Sequence, residues 1–198
     1  YSRGYRAGGF NGRVDAIETA ITAYDPETID NYELGYRSTW NNRLVFNATL
    51  FYMDYQDKQE EIQQPSATSG TGQVTRVVNA SDATIQGLEI EFTYLASDKL
   101  TLRGNLGLLD AEYDSFSVDT GTPGSPSIQD FSHLEFRRAP EVNFGVSANY
   151  QWQWGPGSAQ LWASARYLDD HEVDFANKPE LSNDAQTLID VSFTYEYQ

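Results

Sequence analysis

Val142-Asn143-Phe144-Gly145-Val146-Ser147-Ala148-Asn149-Tyr150-Gln151-Trp152-Gln153-Trp154, followed by Gly155-Pro156-Gly157, decides the fold. From Val142 to Trp152 the apolar side chains take the even positions, and Asn143, Ser147, Asn149 and Gln151 take odd ones. A period of two places them on opposite faces of an extended strand, because successive side chains of a strand point to opposite sides. The glycine-proline-glycine triplet then turns the chain back.

The same alternation recurs outward from this stretch. Leu161, Ala163, Ala165 and Tyr167 form the next apolar face, and Ile189, Val191, Phe193, Tyr195 and Tyr197 the last. Upstream, the faces are Leu100, Leu102, Leu106 and Leu108; Leu88, Ile90, Phe92 and Tyr94; Leu44, Phe46, Ala48, Leu50 and Tyr52; and Tyr32, Leu34, Tyr36 and Trp40. An eighth strand is expected within residues 1–10, where Arg3 and Arg6 blur the faces. No segment longer than one turn shows the helical period, so the fold class is all-β.

Alternation fits both a soluble sandwich, whose apolar faces meet inside, and a membrane barrel, whose apolar faces meet lipid. Three features favour the barrel. Most runs hold about nine to eleven residues or more, the length a tilted strand needs to cross the hydrocarbon. Connections alternate between short (Asn41-Asn42, Ser97-Asp98, Gly155-Pro156-Gly157) and long (residues 11–30, 56–81, 115–138 and 169–186). Of the 29 acidic residues, 22 fall in segments 11–31, 54–82, 110–138 and 166–187, whereas the apolar faces carry no ionised side chain. Trp40, Tyr94, Trp152 and Trp154 lie by the short turns and Tyr52, Tyr55 and Tyr167 by the long loops, as interfacial aromatic girdles do.

Composition removes other classes. A net charge of −16 disfavours nucleic acid as a partner. The absence of cysteine removes thiolate metal sites and cysteine nucleophiles. His133 and His171 could each be drawn into a Ser-His-Asp set on paper, but no G-x-S-x-G elbow exists, so no catalytic residues and no enzyme are expected. The acidic run Asp169-Asp170-His171-Glu172-x-Asp174 lacks calcium-loop spacing, and neighbouring strand residues diverge, so neither a metal site nor a cofactor is expected.

Several segments resemble TonB-dependent outer-membrane receptors. Gly4-Tyr5-Arg6-Ala7-Gly8-Gly9-Phe10-Asn11 is similar to an ascending strand and the start of its loop. Glu27-Thr28-Ile29-Asp30-Asn31-Tyr32-Glu33-Leu34-Gly35 is similar to the family's E-x-x-x-x-Y-E-x-G segment. It is followed by the strand Asn47-Ala48-Thr49-Leu50-Phe51-Tyr52-Met53-Asp54-Tyr55. The stretch from Asn79 through Ala80, Ala83, Gly87 and Glu89 to Glu91 resembles N-A-x-x-A-x-x-x-G-x-E-x-E, and Arg138-Ala139-Pro140 fits before a descending strand.

The resemblance implies about eight strands, with about two still to follow, of a barrel of about 22 strands surrounding a plug domain. Residues 1–198 are then expected to be a partial barrel domain, without plug or TonB-box segment, with a self-closed eight-stranded barrel as the alternative. It further implies a Gram-negative outer-membrane receptor for TonB-dependent uptake of a scarce solute, an iron-siderophore first among iron chelate, haem, cobalamin and sugar. Lipid, lipopolysaccharide and, through the plug, TonB would be its partners. A small structural outer-membrane barrel and a soluble all-β binding module are the competing readings. Ligand capture in such receptors uses aromatic and cationic outer-loop residues. Here Phe131, His133, Phe136, Arg137 and Arg138 form the aromatic, locally basic loop segment, with Tyr113, His171 and Phe175 as lesser candidates.

Overall fold

The structure, a computed structural model, describes residues 1–11, 22–65, 73–121, 125–174 and 176–197. Its strands are β1 (Ser2–Arg6), β2 (Gly9–Phe10), β3 (Ala23–Tyr24), β4 (Glu27–Trp40), β5 (Leu44–Pro65), β6 (Gln73–Ser97), β7 (Leu100–Asp119), β8 (Ile128–Asp130), β9 (Val142–Trp154), β10 (Gly157–Leu168) and β11 (Gln186–Tyr197). Among the described residues one 3-10 turn, Pro179–Leu181, is the helical element, and no helix is long and apolar enough to cross a membrane.

The main sheet runs β1-β4-β5-β6-β7-β9-β10-β11, with β8 added beside β7, and the determined pairs are antiparallel. These are the eight expected long strands, in chain order. Among the described residues β1 and β11 each have one neighbour, so the ladder has two ends and the self-closed alternative is not what is paired.

The short connections form for local reasons. Asn41 and Asn42 have φ of 50° and 53°, and Arg43 N–H donates to Trp40 O at 2.9 Å. Two consecutive left-handed residues make the type I′ turn whose twist matches a hairpin, and asparagine tolerates that conformation better than most residues. Gly155 (φ 61°) precedes Pro156 between the paired Trp154 and Gly157. Proline fixes its own φ, and glycine accepts the positive one before it.

The chain divides into two compact units. The second holds residues 33–51, 86–110 and 137–198. Here register shows the alternation aligning across strands: Leu102, Ala148, Ala163 and Val191 form one row, and Leu100, Tyr150, Leu161 and Phe193 another. The polar rows lie between them, as Arg103, Ser147, Ser164 and Asp190 do. Leu161 is 41% exposed, Val191 68% and Phe144 42%, and Ala159 is the one buried apolar residue described in this unit. A soluble sandwich would cover that face. A contiguous exposed apolar sheet face instead calls for an apolar surrounding. Trp152, Trp154, Phe193 and Tyr195 cluster at its short-turn margin, with ring centroids 5.9–6.4 Å apart.

The first unit holds residues 1–32, 52–85 and 111–136 and contains five of the six buried apolar residues among those described: Ile62, Ala83, Tyr113, Phe116 and Val118. Here the expected long connections are shorter than the sequence reading places them. β5 continues to Pro65 and β6 begins at Gln73, so most of the expected 56–81 loop is strand, and β7 runs on to Asp119. Residues 56–61 are Gln, Asp, Lys, Gln, Glu and Glu, which lack alternation and strand propensity. Pairing with β6 and burial of Ile62 hold them extended.

Candidate functional site

In the first unit, Tyr113 and Phe116 are three positions apart, yet both are buried, at 7% and 0% exposure, while Asp114 and Ser115 between them are exposed. The inward face therefore changes parity within β7, since strict alternation would put them on opposite sides. The Tyr113 ring stacks on Phe136 (4.1 Å, 20°) and tilts against Phe116 (4.8 Å), and Phe116 meets Phe131 (5.7 Å). Phe131 N–H donates to Phe116 O at 2.6 Å, tying the segment after β8 to β7.

Lys58 caps this cluster, its Nζ 5.2 Å from the Phe136 ring centre and 5.6 Å from that of Tyr113. The ammonium ion also pairs with Glu60, which is 2% exposed and accepts the Tyr113 hydroxyl hydrogen bond at 3.1 Å. A charge buried to that degree is costly unless paired and hydrogen-bonded, and here it is both. Three of the expected ligand-binding residues, Tyr113, Phe131 and Phe136, are thus brought together. The stacked faces of Tyr113 and Phe136 are turned to each other and to Lys58, as in a folded core. Lys58, Glu60, Ile62 and Phe116 were not among the candidates: Lys58 and Glu60 sit in a polar run, and Phe116 is out of phase with Tyr113. The close spacing of Tyr113, Phe116 and Val118 was the available signal.

Two asparagines anchor the neighbouring segments. Asn11 Nδ2 donates to Val77 O (2.8 Å) and its Oδ1 accepts from Val77 N–H (2.7 Å), so its amide pairs like a strand residue. Asn79 Nδ2 donates to Asp25 O and Asp57 O, and its Oδ1 accepts from Asp25 N–H at 2.6 Å. Glu27 accepts from Gln59 N–H at 2.7 Å. His133 is exposed after the Asp130 turn. Asp130 accepts from the Ser132 hydroxyl (2.6 Å) and N–H (2.9 Å), and Asp119 from Ser127 N–H (2.8 Å) and Gly121 N–H (2.9 Å). Those bonds stabilise the charged forms, so both carboxyls titrate below the usual range.

In the second unit, Arg137 forms a parallel bridge to Glu172, and Arg138, left-handed at φ 56°, donates its N–H to Glu172 O at 2.8 Å. His171 bridges Asn183, and its ring nitrogens lie 3.2 Å from Asp169 O and 3.2 Å from Asn183 Nδ2. Arg137, Arg138 and the 171–172 segment are therefore neighbours through backbone pairing. Phe175 lies outside the described residues. Among the described residues no three His, Asp or Glu side chains gather as metal ligands.

The polar sheet face of this unit carries a groove of about 460 Å³, lined by Glu91, Arg103, Asn105, Trp162, Ser164 and Arg166 among others. Arg166 pairs with Asp190 at 3.1 Å. One face is thus charged and hollowed, and the other apolar and exposed.

All of residues 1–198 match the family described as TonB dependent receptor-like, beta-barrel. Among solved structures, the chain is similar to the ferric yersiniabactin uptake receptor FyuA from Yersinia pestis (20% identity, 97% of this chain and 26% of that one, TM-score 0.69). It is also similar to BauA, the ferric preacinetobactin receptor from Acinetobacter baumannii (17% identity, 99% and 27%, TM-score 0.62). A third match is the siderophore receptor PiuA from Acinetobacter baumannii (20% identity, 88% and 23%, TM-score 0.65). The chain spans about a quarter of the length of these receptors. Members of the family are transport receptors rather than enzymes, and they reside in the Gram-negative outer membrane. The full-length family match, together with an open antiparallel sheet whose apolar face is bare, leads to one assignment: the chain belongs to the β-barrel family of TonB-dependent receptors.

Proposed function

We propose that this chain is part of the wall of an outer-membrane receptor that takes up a scarce solute, an iron-siderophore, with energy from TonB. The observation that carries the reading is the uncovered apolar face of β9, β10 and β11, aligned row by row, in a chain of this family. An outer-membrane strand presents such a face to lipid and its polar face to the lumen. The Arg103 and Arg166 groove lies on that polar side and suits contact with a plug domain.

Residues 1–198 would supply about eight strands of the larger barrel, with lipid and lipopolysaccharide outside it. The proposed ligand contacts are His133 in the first unit and, separately, Arg137, Arg138, His171 and Phe175 in the second. Tyr113, Phe131 and Phe136, also proposed as contacts, would act through ring edges of the first unit's aromatic cluster. The relatives named above are siderophore receptors by description, which favours an iron chelate over haem, cobalamin or sugar.

Deletion of the gene in an iron-starved host tests the reading. Growth on one ferric chelate should fail, and the gene should restore it only where TonB is functional. Unchanged growth on every ferric chelate offered would refute it.

A further inference from the structure

The segment from Phe131 to Phe136 in the first unit is fastened to β7 at both ends, by different means. At its start β8 pairs with β7 through Asp130 and Ser117, and Phe131 N–H donates to Phe116 O at 2.6 Å. Leu134 N–H then donates to Phe131 O at 3.0 Å, closing a turn on which His133 is exposed. At its end the Phe136 ring lies flat on Tyr113, with centroids 4.1 Å apart. Stacking sets the separation of two rings more firmly than their offset.

Lys58 and Glu60, both on β5, fix what stacking leaves open. The Lys58 ammonium stands 5.2 Å from the Phe136 centre and 5.6 Å from that of Tyr113, an attraction that depends on the cation's place over the ring face. Glu60 holds that ammonium and accepts the Tyr113 hydroxyl at 3.1 Å, so rings and cation share one carboxylate. Lys58 is mostly buried and Glu60 fully so. A buried ion pair adds little stability over apolar side chains of similar size. Phe116, fully buried against Tyr113, shows that an apolar filling is accommodated beside these rings. What the charges add is direction.

Resting on the siderophore reading above, we propose that Lys58 and Glu60 are positioning residues for capture of a ferric chelate. They act through Phe136 and Tyr113, setting the stance of the 131–136 turn and so of His133, and they do not touch the ligand.

The full-length receptor in detergent gives three readouts. A spin label at His133→Cys, with cysteines elsewhere replaced by serine, reports motion of the turn, and amide exchange at Phe116 and Val118 reports the core beneath. The unlabelled receptor is titrated with ferric chelates of hydroxamate, catecholate and phenolate type. A combined Lys58→Met and Glu60→Gln variant removes both charges together while keeping side-chain length and an acceptor for Tyr113, whereas Lys58→Arg keeps the cation. In the double variant core exchange should stay within about twofold of wild type. Its label should nevertheless become more mobile, and affinity for the chelate that wild type binds should fall about three- to thirtyfold. Lys58→Arg should match wild type in label mobility and stay within about twofold in affinity. The proposal is overturned if the double variant unfolds or its core exchange accelerates, since the pair would then be part of the core. It is equally overturned if label and affinity match wild type, or if Lys58→Arg loses as much as the double variant. A wild-type receptor that binds none of the three chelates overturns the siderophore reading, while the label still decides whether the pair holds the turn.

Discussion

Replacing Ala163 with arginine, and separately its neighbour Ser164, isolates the face assignment at nearly constant depth. One residue advances a strand about 3.3 Å, or about 2.5 Å along the membrane normal at a tilt near 40°. Both sites lie at the middle of β10. Ala163 is paired with Ala148 and Val191, within a row of apolar side chains. Ser164 is paired with Ser147 and with Asp190, which already binds Arg166. On the lipid face at mid-depth, arginine costs about 2–4 kcal/mol. At about 1.4 kcal/mol per tenfold, that is a loss of roughly thirtyfold to several hundredfold in the folded ratio. Arg at position 164 gains a facing carboxylate, a contribution of about 0.2–1 kcal/mol, so Ser164→Arg should be near neutral. Urea unfolding of the full-length receptor in lipid vesicles reads both. Equal costs at the two positions, or a larger cost at Ser164, would refute the reasoning.

Three further outcomes follow from the geometry. Phe116→Ala removes a fully buried ring and should cost about 3–5 kcal/mol in the first unit, read as faster proteolysis within residues 111–136; a protease pattern like the wild type would contradict the core. Asp119 and Asp130 have folded values below their unfolded ones, so their turns are fully stabilised above the ordinary carboxylate value and loosen as pH falls through the lowered one. Amide exchange at Gly121, Ser127 and Ser132 should therefore accelerate below about pH 4 relative to the intrinsic rate, and a flat profile would contradict the bonds. Asn42→Val forces a branched side chain into φ 53° and should cost about 1–2 kcal/mol, whereas Asn42→Gly should be neutral or stabilising; equal melting of the two variants would contradict the type I′ turn.

The barrel strands were legible in the sequence because each presents one face to a medium of constant polarity, which imposes a strict period of two. That period puts Leu161, Ala163 and Ala165 on one apolar face, and the structure pairs them with Tyr150, Ala148 and Val146, which the same period puts on the apolar face of β9. The asparagine pair and the Gly-Pro-Gly triplet marked the hairpin turns for equally local reasons. Beyond those strands the surroundings are mixed and the period fails. Residues 56–61 are polar on both faces and remain extended through pairing with β6. The parity change between Tyr113 and Phe116 depends on partners distant in sequence, Phe131 and Phe136. The burial of Glu60 depends on Lys58 two positions before it and on the Tyr113 hydroxyl, 53 residues away. In the sequence Arg137 and Arg138 offer only cationic side chains suited to a ligand. Their backbone pairing with Glu172, which sets where they stand, has no sequence period to announce it.

The central claim is that one face of this sheet meets lipid and the other the barrel interior. These 198 residues contain no cysteine, so single cysteines can be introduced at each position of β9 and spin-labelled in a full-length receptor whose cysteines elsewhere are replaced by serine. Collision rates with oxygen and with a polar nickel chelate would then be measured in the full-length receptor in vesicles. The account predicts alternation from residue 142 to residue 152, with oxygen favoured at even positions and nickel at odd ones. Uniform access along the strand, or nickel favoured at Val146, Ala148 and Tyr150, would contradict it.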